Sequence, residues 1–213
     1  AANNTAVGKD ALGANTTGTN NTAVGKDAGA AITTAQGNSI LGTLAGDALT
    51  TGGDNVAVGY KALTASTTGT ANTAVGKDAL EANTTASNNT AVGFKALEAN
   101  ITGAYNTALG TNAGDAITTG SDNVIIGYSA GTHDINLTTG YQNVLIGNYT
   151  DTTAVGTIEA NVLGYNVTGE GGYTTVGHTT NEIRAAHGTA TWATVSDQRY
   201  KKDIVDSTAG LSF

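Results

Sequence analysis

Four carboxylates occupy one place in a repeating phrase of this chain: Asp47, Glu81, Glu98 and Asp115, separated by 17 residues or twice that. Two carboxyl groups at the right separation hydrolyse a glycosidic bond, and several together hold a divalent cation. Thr or small residues fill the same column elsewhere, and no phrase adds a second acid at fixed spacing, so a solvated polar face accounts for these acids. The corners "GGDN" and "GSDN" fall short of a calcium-binding nonapeptide repeat and read as turns. Tyr60, Phe94 and Tyr128 stand directly after a recurring Gly, where other phrases carry Lys9, Lys26 or Lys77. An exposed column of rings could stack on sugars, although packing between the edges of neighbouring chains is the simpler reading. His133, His178 and His187 are too scattered for a metal site, and no cofactor is expected.

The scaffold that must carry these side chains is written in the spacing of glycine. The Gly closing each "N-x-apolar-apolar-G" phrase falls at Gly8, Gly25, Gly42, Gly59, Gly76, Gly93, Gly110 and Gly127, a uniform step of 17 residues. Gly147 follows after twenty, so "THDINLTTGYQ" carries a three-residue insertion, and Gly164 restores the step. An Asn precedes the first nine of these glycines by four residues, from Asn4 to Asn143. A period of this length predicts a stack of rungs, each burying its apolar face only against its neighbours.

The phrase itself reads as a short strand. Just before the Gly stands Val7, Val24, Leu41, Val58, Val75, Val92, Leu109, Ile126 or Ile146, aliphatic and mostly β-branched. One place earlier stands Ala6, Ala23, Ile40, Ala57, Ala74, Ala91, Ala108, Ile125 or Leu145. Adjacent strand residues point to opposite faces, so the two columns cannot both face the inside of one coil, yet both are apolar. The economical reading is a strand covered twice, by its own coil and by another chain. The alternative is a flattened single-chain solenoid with an exposed Ala column.

In the second half of the rung, one large apolar residue enters from either of two positions. Leu12, Leu63, Leu80 and Leu97 are followed three residues later by Asn15, Ser66, Asn83 and Asn100, whereas Gly29, Gly46 and Gly114 are followed by Ile32, Leu49 and Ile117. Residues three apart share a face on a helical turn, so "DALEAN" is expected to bend or make a single such turn. The rule breaks at Gly131 and Asp134, where Ile135 is the expected source of bulk. Each rung closes with "TTG" or "TTA" and a Gly-, Asn-, Asp- and Ser-rich corner. Nine rungs stacked at roughly 4.8 Å give a rod of about 40 Å, with Asn and Thr columns forming ladders.

Composition agrees. The 213 residues include 30 glycines and only 12% charged residues, and the apolar content is mostly Ala and Val. Such small side chains each bury little area, so a core made of them must be thin and must recur. A formal net charge of −8 argues against nucleic acid as a partner, and no apolar run approaches the roughly 20 residues of a membrane span. There is no cysteine to report on redox compartment. The chain opens inside a repeat, at "AANNTAVG", and is expected to be a piece of a longer protein.

The phrases "N-T-A-V-G" and "N-V-A-V-G" resemble the head repeats of trimeric autotransporter adhesins, which are parallel β-rolls bundled in threes. The arrays "NTAVG..AL..NTTG" look even more like those of phage tail-fibre proteins, over roughly residues 1–165. The rung here is longer than the usual adhesin rung. The resemblance implies an all-β parallel β-solenoid or β-roll of 17-residue rungs, as an intertwined or side-by-side homotrimer.

After Gly164 the period fades, and the last 30 residues hold the lone Trp192 and four of the nine basic residues, Arg184, Arg199, Lys201 and Lys202. Here "SDQRYKKDI", Ser196–Ile204, closely resembles the opening of the intramolecular chaperone domain at the C-terminus of phage tailspikes and tail fibres. In that family the chaperone trimerises the fibre and then cuts itself off beside the Ser, which maps a Ser-Lys dyad onto Ser196 and Lys201. A Lys whose pKa is lowered by burial can act as base for the Ser hydroxyl, which then attacks a carbonyl of its own chain. Ser-Asp would also start a helix, a role compatible with the dyad. Family chaperone domains are far longer than the seventeen residues that follow Ser196. The expected organisation is a repeat shaft at 1–165, a neck at 166–195 and the truncated start of the chaperone at 196–213.

The function implied is structural and adhesive: the distal part of a virion tail fibre that meets a host cell-surface receptor, with a saccharide as one candidate. A bacterial trimeric surface adhesin is the runner-up. An ice-binding solenoid using Thr16–Thr17, Thr67–Thr68 and Thr118–Thr119 is a minor alternative, and a polysaccharide-cleaving tailspike would require carboxylate pairs.

Overall fold

The chain winds into a parallel β-solenoid, seen in a computed structural model that describes residues 2–188 and the backbone of residues 193 and 194. Each rung contributes a strand of three residues: β1 (Thr5–Val7), β2 (Thr22–Val24), β3 (Ser39–Leu41), β4 (Val56–Val58), β5 (Thr73–Val75), β6 (Thr90–Val92), β7 (Thr107–Leu109), β8 (Val124–Ile126) and β9 (Val144–Ile146). The strands are this short because both ends leave extended geometry. Asn20, before β2, has φ 59°, and Gly25, after it, has φ 138°. A Cβ on Gly25 would lie 2.6 Å from the carbonyl oxygen of Gly42 in the next rung, which explains why only Gly stands in this column.

Neighbouring strands pair in parallel and in register, Thr22 opposite Ser39 and Val24 opposite Leu41, so the sequence period is the pairing offset. At the insertion the offset becomes twenty, Val124 opposite Val144, and the sheet continues undisturbed. It then takes in β11 (Asn161–Tyr165) and β13 (Tyr173–His178), turns back antiparallel through β14 (Asn181–Ala186) and β15 (Ala193–Thr194), and totals 13 strands. β10 (Asp151–Thr152) and β12 (Thr168–Gly169) form a separate two-stranded parallel sheet. The segment expected as a neck thus begins by extending the sheet of the shaft.

No helix forms among the described residues, and "DALEAN" does not make the helical turn offered for it. It bends by successive turns instead. In the matching "DALGAN" of the first rung, Ala11, Gly13 and Asn15 donate to Gly8, Asp10 and Leu12 of their own rung, while Leu12 and Ala14 donate to Ala28 and Ala30 of the next. A helix would use every N–H internally; here alternate N–H groups hold the neighbouring rung. Asp10 and Leu12 take φ 57° and 51°, the left-handed geometry such turns demand.

The core is narrow and mostly Ala, with one large side chain in the second half of each regular rung and a second from the strand where Ile40 or Ile125 replaces Ala. Ala57, Ala62 and Leu63 are fully buried in one rung, as are Ala108, Ala113 and Ile117 in another. The exchange of Leu and Ile between two positions is steric: a Cβ on Gly114 would meet Ile117 Cδ1 at 3.2 Å and Leu97 Cδ2 of the preceding rung at 3.2 Å. In the irregular rung the bulk comes from Leu137, fully buried, and not from Ile135, because Asp151 ties down the Ile135 backbone.

A ladder of buried Asn runs beside this core. Asn38 donates its backbone N–H to Asn21 Oδ1 at 3.0 Å and its Nδ2 to the Gly52 carbonyl at 3.1 Å; Asn55, Asn72, Asn89, Asn106, Asn123 and Asn143 repeat the pattern. One side chain supplies both an acceptor and a donor, which Asp lacks and Gln would place too far away. Thr hydroxyls add a second ladder, Thr33 to Thr50 and Thr50 to Thr67, by donating to carbonyl oxygens.

Candidate functional site

In the acid column Glu81, Glu98 and Asp115 occupy successive rungs, Asp47 stands apart across Thr64, and Glu81 and Glu98 are neutralised together with Asp78, which lies outside the column. Carboxylate oxygens of Asp78, Glu81 and Glu98 lie within 4.8 Å of one another, the closest approach to a cation site among the described residues. Each has its own ammonium: Lys77 at 3.0 Å from Asp78, Lys61 at 2.9 Å from Glu81 and Lys95 at 2.8 Å from Glu98. The paired carboxylates hold the Lys61 and Lys95 ammonium groups above their ordinary pKa. A metal ion would have to displace three lysines, so the arrangement is an ion-pair network along a solvent face. Asp47 accepts a hydrogen bond from the Thr64 hydroxyl at 2.7 Å. Burial raises the pKa of Asp115, opposed by a hydrogen bond with Thr132.

The aromatic column divides into two kinds of site. Tyr60 and Phe94 sit among lysines: Lys61 Nζ lies 5.9 Å from the Tyr60 ring centre, and Lys77 and Lys95 lie 5.1 and 5.7 Å from that of Phe94. These are cation–π contacts that engage the ring faces. Tyr128 instead begins a row of rings, with Tyr149 at 5.2 Å, Tyr165 a further 5.9 Å on, and His178 stacked on Tyr165 at 5.1 Å. His133 meets Tyr149 edge-on at 4.5 Å. Two of the three histidines thus join the aromatic row, while His187 lies apart, its Nε2 3.1 Å from Asn161 Nδ2.

The row coincides with the only insertion in the array. Asp151, at a core position that Leu or Gly fills in other rungs, is buried, and its carboxylate accepts the N–H groups of Asp134 at 2.7 Å, Ile135 at 2.8 Å and Thr152 at 2.8 Å. These bonds fold the inserted residues into a fixed loop that presents His133 to Tyr149. Burial pushes the Asp151 carboxyl above its ordinary pKa, against the pull of those N–H groups. Sequence reasoning missed Asp151; the signal was an acid in a column otherwise reserved for Leu and Gly.

The outer face of the sheet carries an aliphatic column. The Ala and Ile column faces the coil, with Ala57 and Ala91 fully buried, while the Val column faces out: Val7 is 57% exposed, Leu41 51% and Leu109 48%. The flattened single-chain alternative therefore had the faces reversed. Ser196 and Lys201, expected to form a self-cleaving dyad, lie outside the described residues, as does Trp192. In comparisons with known proteins, no family model, no curated protein and no solved structure matches the chain.

Proposed function

We propose that this chain is the distal part of a homotrimeric phage tail fibre, a structural and adhesive protein that presents a contact to a receptor on the host surface. The observation that carries the reading is the open outer face of the sheet. Parallel sheets are covered on both faces in almost all proteins, and here an aliphatic column runs along the outer face of the sheet, exposed at Val7, Leu41 and Leu109 and half-buried in the other rungs. Copies of the same chain, aligned rung for rung, cover it with matching columns. The "SDQRYKKDI" phrase supports a fibre whose trimerising chaperone is removed afterwards, with Ser196 as nucleophile and Lys201 as its base.

The role is otherwise non-enzymatic and needs no cofactor. The net charge of −8 speaks against nucleic acid, and among the described residues no helix is long and apolar enough to cross a membrane. The test is the mass of the native full chain by light scattering. A value near three chain masses supports the fibre; a single chain mass overturns it.

A further inference from the structure

We infer that the ring row Tyr128, Tyr149, Tyr165 and His178, with His133 and Asp134 on its flank, is a binding platform for a neutral oligosaccharide. The inference rests on the adhesive reading above and names the chemistry of its contact.

Three observations carry it. Tyr128 and Tyr165 each keep 44% of their surface exposed, and the row advances by 5.2 and 5.9 Å through Tyr149. The tyrosines meet edge to face, at interplanar angles of 87° and 86°, so Tyr128 and Tyr165 offer separate apolar surfaces on either side of Tyr149, against which the C–H faces of two pyranose rings pack. Second, among the described residues no Lys or Arg lies over these rings, and none occurs from residue 96 to residue 183, whereas Tyr60 and Phe94 have lysines over their faces. The same absence leaves no described Lys or Arg over the row to pair with an acidic sugar. Third, the rim is polar and fixed. Asp134, its side chain 68% exposed, stands 3.0 Å from His133 on the loop that Asp151 ties down, and Asn148 and Asn166 are exposed beside the tyrosines. Asp134 and His133 are hydrogen-bonding groups for sugar hydroxyls, and the pinned loop holds them in place before a ligand arrives.

The probes are maltotriose, cellotriose, mannotriose and chitotriose, with sialyllactose as the acidic counterpart, titrated calorimetrically into the native full chain. At least one neutral trisaccharide should bind, sialyllactose should not, and Tyr165→Ala or Tyr128→Ala should weaken binding about tenfold or more. Phe94→Ala, off the row, should leave binding unchanged. Each variant is checked for an unaltered unfolding midpoint and assembly mass, and Tyr165→His provides a ring-preserving second variant that should retain part of the affinity. Failure of every neutral probe, or binding insensitive to both tyrosines, overturns the inference. So does a fall in assembly mass on substituting the tyrosines, which would make the row a contact between chains. A trimer that binds no sugar rejects this site and leaves the fibre standing; a monomer whose sugar binding depends on Tyr165 does the reverse.

Discussion

At the scale of single residues, the solenoid is specified by side chains that serve two rungs at once. Asn38 accepts from Asn55 of the rung after it and donates to the Gly52 carbonyl where its own rung closes, so removing one Asn orphans groups at both places. Asp151 is the exception, a buried acid that serves a loop in place of a ladder. Its folded-state pKa lies above its ordinary value of 3.8, chiefly through burial. The folded state therefore favours the protonated carboxyl: stability from this group is greatest below that ordinary value and declines as pH rises toward the folded pKa. Between about pH 3 and 6, the midpoint of wild type should fall relative to that of Asp151→Asn. A midpoint difference that does not change with pH in thermal melts would reject a carboxyl raised by burial.

At the scale of the element, the rung keeps its volume constant by trading positions. Leu80 is fully buried with φ 52°, a left-handed geometry that Gly46 and Gly114 adopt without strain. Asn83 is buried beside it, and its Nδ2 and Oδ1 have no hydrogen-bond partner among the described residues. Leu80→Gly alone should cost about 2–5 kcal/mol through the cavity it leaves, and Asn83→Ile alone about 1–3 kcal/mol through overpacking. The double variant rebuilds the Gly-Ile rung and should recover most of both losses, a coupling of about 2 kcal/mol or more in urea unfolding. Simple additivity would reject the exchange. This rule, the strand phrase and the Asn ladder were legible in the sequence because all three follow from residue type at a fixed period. The choice between a bend, which forms, and a helical turn for "DALEAN", the source of bulk expected at Ile135 and the orientation of the Val column were not. Each depends on where alternate N–H groups find acceptors in the next rung, and residue types alone do not record that. The aromatic row was half legible: Tyr128 was singled out, but Tyr149 and Tyr165 join it across rungs of unequal length.

At the scale of the whole molecule, the register between rungs is the repeat itself, so rungs are interchangeable units. Deleting residues 60–76 joins Gly59 to Lys77 and restores an intact phrase. That variant should fold with the same β signature in circular dichroism and lose roughly one rung's share of its denaturant m-value. Deleting residues 61–70 shifts every following column and should abolish the fold; equal tolerance of both deletions would contradict a register-locked stack. Because the bonds between rungs run along the axis, the molecule also has a defined response to being pulled. An end rung detaches by breaking only its own ladder contacts, and the chain it frees spans roughly 50 Å more than the rung it leaves. A fibre tethering a moving particle to a surface would then yield in steps, shedding tension one coil at a time while the remaining coils stay wound.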